Sequence, residues 1–134
     1  MSKSNATETS ILSYIFTAVA PSWDAATDLD IHLHTADPGE AGNSSTSEAT
    51  YGSYALVTVS RAISAWTVTG DTATNDNLIQ FPQCSSGSNT ITHVSVTPSG
   101  STEILYSGAL SSSLSVSTGI QPQFAAGALD ITEA

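Results

Sequence analysis

Leu29-Asp-Ile-His-Leu-His-Thr-Ala-Asp-Pro-Gly-Glu-Ala-Gly42 opens as a strand and closes as a turn. Leu29, Ile31 and Leu33 fall on one face of an extended chain; Asp28, Asp30, His32 and His34 fall on the other. A period of two with one apolar face predicts a half-buried β-strand over about residues 28–35. Asp37-Pro38-Gly39 ends it: proline fixes φ near −65° and glycine accepts positive φ. The polar run from Ala41 to Thr50 is then expected to be an exposed, mobile loop.

Working outward, the same grammar recurs. Strands are predicted over 54–61, 66–69, 78–81 and 90–97, the last β-branched nearly throughout. Pro98-Ser99-Gly100 turns this strand into a hairpin partner at 103–107. Gly108–Ser113 reads as a connection, followed by short strands at 114–116, 120–124 and 129–131. Gly70-Asp71 and Asn75-Asp76-Asn77 read as turns. Eight or so short strands separated by turn signals give an all-β, antiparallel sandwich or barrel.

Upstream, residues 1–6 read as a flexible arm. Ile11, Leu12, Ile15, Phe16 and Val19 then repeat at helical spacing, predicting one short N-terminal helix within 7–20 that Pro21 ends. Asn5 or Thr7 is the expected cap. The helix either plugs one end of a sheet or docks on a neighbouring subunit. The whole chain, 1–134, is expected to be a single domain.

Composition narrows function. Charged residues make up 10% of the chain, and Ser and Thr roughly three in ten, so the surface is hydroxylic rather than ionic. The net charge is −10, with Lys3 and Arg61 the only basic side chains. Phosphate recognition needs Lys and Arg, so nucleic acid and anionic membranes are not expected partners. No apolar run reaches the length of a membrane span, and no signal peptide is apparent, which points to synthesis in a cytoplasm. Cys84 is the single cysteine and reads as a structural, buried thiol.

The one stretch that could carry chemistry is the polar face of the opening strand. Asp28, Asp30, His32 and His34 lie close enough along it to reach a shared divalent ion. A solvated face, or one packed on another subunit, explains the same pattern, and no metal, cofactor or catalytic residue is assigned. His93 reads as a satisfied core or interface histidine. Ser85-Ser86-Gly87-Ser88 is too weak for a nucleophile elbow. Trp23, Trp66 and the tyrosines read as core or interface anchors, with carbohydrate binding as the other use.

Several motifs occur in a familiar order: His34-Thr-Ala-Asp-Pro-Gly-Glu-Ala-Gly42, Tyr54-Ala-Leu-Val-Thr-Val59, Phe81-Pro82, Ile91-Thr-His-Val94, Ile104-Leu-Tyr-Ser-Gly-Ala-Leu110 and Phe124-Ala-Ala-Gly-Ala-Leu129. From about residue 30 onward the chain resembles a family of small phage-encoded structural proteins, often labelled tail fibre protein. Leu56 stands where that family often has Arg, and Asp30 and His32 stand where it is more apolar. The resemblance implies a non-enzymatic virion component with a β-sandwich of jelly-roll type, similar to capsid decoration (cement) proteins. On that footing the expected partners are the major capsid protein and copies of the chain itself, as homodimer or homotrimer. The expected location is the outer capsid surface. A tail or head-fibre component involved in host attachment is the other virion role. A small enzyme or carbohydrate-binding module is the reading from a different class.

Overall fold

The computed structural model describes residues 1–133 as a helix followed by nine strands. Helix α1 is Asn5–Thr17, and a 3₁₀ turn follows at Ser22–Ala25. The strands are β1 Asp28–His34, β2 Val57–Ser60, β3 Trp66–Thr69, β4 Thr72–Asn75, β5 Ile79–Gln80, β6 Ser88–Pro98, β7 Tyr106–Ser117, β8 Gln123–Phe124 and β9 Asp130–Thr132. They form three antiparallel sheets, in the orders β2-β1-β6-β7, β3-β4-β9 and β5-β8. The result is an all-β, sandwich-like fold with one short helix.

β1 is central because it pairs on both sides. Ile31 lies opposite Val57 of β2 and Val96 of β6; Leu33 lies opposite Val94. These side chains meet Ile79, Phe81, Ile91, Val116, Leu129 and Ile131 in one apolar core. Tyr54 stacks on Phe81 at 6.4 Å between ring centroids, and Phe124 meets Phe81 edge-on at 6.2 Å. Each fully buried side chain of this size contributes about 1.5–3 kcal/mol by leaving water.

Some boundaries differ from those the sequence suggests, each for a local reason. Thr72–Asn75 is a strand rather than part of a turn region, because Gly70 takes positive φ (63°) and folds β4 back on β3 as a tight hairpin. β7 runs unbroken across 108–113. Ile91 faces Leu114 while His93 faces Ala109, so residues 110–113 bulge out opposite Thr92. The Ser111–Ser113 run that looks like a connection is an exposed bulge inside a long edge strand.

Helix α1 is capped by Ser4, whose Oγ accepts from Thr7 N at 3.3 Å, not by Asn5 or Thr7. It ends at Thr17, before Pro21, because Ala18 adopts the left-handed conformation (φ 59°) and returns its N–H to Tyr14 O. Nor are residues 1–6 a free arm. Ser2 forms a two-way backbone bridge with Ser107, and the Met1 amine donates to Thr132 O at 3.1 Å. Lys3 pairs with Glu133, which also accepts from the Tyr106 hydroxyl.

Candidate functional site

The polar face of β1 is as buried as its apolar face. Asp30, His32 and His34 expose 4%, 3% and 0% of their surface. This corrects the expectation of a solvated or partner-covered face. The chain's own residues 40–50 form the cover. Thr35 N donates to Ser47 O and Ala49 N to Leu33 O, both at 2.8 Å, so the loop pairs with the end of β1. Ser44 N reaches Thr102 O at 3.0 Å. Gly42 lets the loop fold this tightly: a Cβ there would lie 2.0 Å from Pro38 O.

Burying polar groups is tolerable only when each finds a partner. Asp30 accepts from Thr58 Oγ1 at 2.7 Å and from Gly100 N at 3.2 Å. His32 sets Nδ1 2.6 Å from Glu48 Oε2 and Nε2 3.0 Å from Thr97 Oγ1. His34 donates from Nδ1 to Thr46 O at 2.9 Å, and its Nε2 lies 2.7 Å from Ser95 Oγ. Burial holds the His34 pKa below its ordinary value; the Thr46 carbonyl opposes this, and His32 adds to it.

The array has the parts of a catalytic relay without its access. Glu48, His32 and the Thr97 hydroxyl stand in the order carboxylate, imidazole, nucleophile, at hydrogen-bonding distances. Thr97 is fully buried, so no substrate carbonyl can approach its oxygen. The imidazoles are equally committed: every ring nitrogen of His32 and His34 already has a protein partner. Asp28 lies apart, partly exposed, beside Thr27. Among the described residues no group of three or more His, Cys, Asp or Glu side chains could hold a metal ion. The four residues singled out from sequence therefore do not form one site. Three of them are internal struts of a second, hydrogen-bonded interior.

Sequence reasoning missed Glu48, Thr46, Ser95 and Thr97. The last two were legible, since Ser95 and Thr97 alternate with Val94 and Val96 and must share the polar face. Glu48 and Thr46 depend on where a loop folds, which no local pattern states.

The match to known sequence families follows the whole fold. A family model described as "Podophage GP4 fiber I protein gp80" matches residues 2–132. The chain belongs to this family. No curated protein matches it. It is thus a phage virion protein of a fibre family, and the surfaces it presents can be weighed as those of a particle component.

Two surfaces of this fibre-family chain stand out. The first is α1. Its N-terminal turn is anchored: Thr7 Oγ1 donates to Ile104 O at 2.9 Å and Asn5 N donates to Glu40 O at 2.9 Å. Beyond that turn Leu12, Tyr14, Ile15 and Phe16 are exposed, as is Val19 after the helix, with Phe16 at 78%. The helix does not plug a sheet. The second is a groove of about 370 Å³ at the open side between the four-stranded and three-stranded sheets, walled by Leu29, Ile63, Trp66, Val68, Tyr106 and Ile131. Arg61 sits on its rim, donating to the carbonyls of Trp23, Asp24 and Ala26 at 2.9–3.0 Å.

The remaining candidates lie apart from these surfaces or on their margins. Cys84 is buried, with its thiol 3.2 Å from Ser86 O. His93 is half-buried on β6 with Nδ1 2.8 Å from Thr92 Oγ1. Trp23 lies beside the Arg61 guanidinium at 6.0 Å.

Proposed function

We propose that the chain is a non-enzymatic building block of a phage fibre, held in the particle by protein–protein docking. One observation carries this: a hydroxylic sandwich presents a ridge of large apolar side chains on α1 that its own core does not cover. Soluble chains seldom leave such a patch to water unless it meets a partner. The family description supplies the fibre. The sealed Glu48–His32–Thr97 array supports a structural role, because its one hydroxyl nucleophile has no route to a substrate.

Capsid decoration is the second reading. It is favoured by the compact sandwich that residues 1–133 form, in which no shaft-like repeat occurs. A cement subunit of this kind would bridge copies of the major capsid protein on the outer shell. Electron cryomicroscopy of the particle decides between the two. Density for this fold on appendages at the tail supports the fibre. Density spread evenly over the shell overturns it in favour of decoration.

A further inference from the structure

We propose that the apolar ridge of α1 in one copy docks into the apolar groove of a second copy of the same chain. The proposal does not depend on whether the subunit sits in a fibre or on a shell.

The first argument is charge. Each copy carries −10, so two copies repel wherever carboxylates face each other. The ridge and the groove are the exceptions. No charged residue occurs from Thr9 to Trp23, which covers α1 beyond its first turn, where Glu8 is exposed, and the 3₁₀ turn up to Trp23. The groove lining holds Arg61 and no carboxylate. A basic partner would find no carboxylate in the groove lining or on α1 beyond its first turn. An equally acidic copy of this chain can bring these two together with carboxylates only at the margins, Glu8 on the first turn of α1 and Asp71 and Glu133 beside Val68 and Tyr106.

The second argument is form. The ridge is a short helix with large apolar residues on successive turns, Leu12 and then Ile15 and Phe16, continued past its C-cap by Val19, which is a shape that helix-in-groove recognition uses. The groove offers aliphatic and aromatic walls and room for a few such side chains. Ile63, 97% exposed, and Val68, 72% exposed, stand at its mouth, where a covering helix would remove them from water.

The third argument is symmetry. Ridge and groove share no residue, so the contact is heterologous: the donor surface of one copy meets the acceptor surface of the next. Every copy carries both halves.

Sedimentation velocity on the full chain tests this with paired neutral substitutions, which leave the net charge unchanged. Ile15→Ser with Phe16→Ser removes the ridge. Ile63→Ser with Val68→Thr blunts the groove. All four side chains are exposed, so thermal melts of the variants should match that of the parent. The parent should sediment as an oligomer. Each variant alone should associate at least about tenfold more weakly, as loss of central apolar anchors predicts. An equal mixture should form a one-to-one dimer, because one variant keeps its groove and the other its ridge. A monomeric parent overturns the proposal. So does a groove variant that assembles like the parent, or a mixture that stays monomeric.

Discussion

The two faces of β1 are equally dry and are held by opposite means. On one, Ile31 and Leu33 pack against valines and aromatics, with no directional demand beyond shape. On the other, Asp30, His32 and His34 are satisfied one hydrogen bond at a time by Thr58, Gly100, Glu48, Thr97, Thr46 and Ser95. Apolar contacts tolerate small shifts. A buried hydrogen-bond array does not, since one lost partner leaves its mate dry and unpaired. The apolar face supplies stability, and the polar face fixes where residues 40–50 lie.

Ile31→Ala should have the largest effect, about 2–5 kcal/mol from lost transfer energy and the cavity left behind. Urea denaturation measures it, and a smaller loss would mean that the sheets close over the gap. On the polar face, His34→Leu should cost about 1–3 kcal/mol, because Ser95 Oγ and Thr46 O lose their partner. Adding Ser95→Ala should recover part of that loss. A double variant as weak as the sum of the single ones would show that the two residues act independently. Gly42→Ala should cost more than about 1 kcal/mol by pushing the loop off Pro38 O, and it should raise amide exchange across 44–49 if the loop is held as a unit.

The pH response separates the faces further. His34 has a lowered pKa in the fold, so between its unfolded value near 6.5 and its folded one the unfolded chain binds the extra proton. Stability should therefore be full above pH 6.5 and fall as pH drops below it. His32, Glu48 and His93 are the titratable groups whose charges act on this ring. Denaturant midpoints at pH 7 and pH 5 measure the fall, and His34→Gln should reduce the slope. An unchanged slope would shift the acid response to other groups, among them Glu133, whose pKa the Lys3 and Tyr106 hydrogen bonds lower. The smallest effect is expected at the end of α1. Ala18→Gly relieves a left-handed residue and should stabilise by up to about 1 kcal/mol, seen as a small rise in melting temperature.

Much of the architecture was legible in the chain. The alternation Leu29-Asp-Ile-His-Leu-His34 placed β1 and its apolar face correctly, and the hairpin of β6 with β7 could be read from Pro98-Ser-Gly100. The burial of Asp30, His32 and His34 could not. Alternation says that a strand has two kinds of face, but not whether the polar one meets water or a satisfied interior. That depends on a loop folding back over sixteen residues so that Glu48 meets His32. The helix was read from Ile11, Leu12, Ile15, Phe16 and Val19, yet their spacing could not say whether those residues face inward or outward. The serine run in β7 misled because small polar residues signal a turn in isolation, whereas here they bulge from an edge strand whose ends remain paired.

The anchoring of the segment around α1 has a mechanical meaning. On its N-terminal side the chain is bridged to Ser107 of β7 and bonded to Thr132 of β9, which lie in different sheets. On its C-terminal side the 3₁₀ turn is gripped by Arg61 through three carbonyls. A pull on the helix is therefore shared between two footings. On the N-terminal side it also loads both layers of the sandwich together, so that the bonds there resist as a set instead of opening one after another. A subunit tugged at α1 is braced against being unravelled strand by strand.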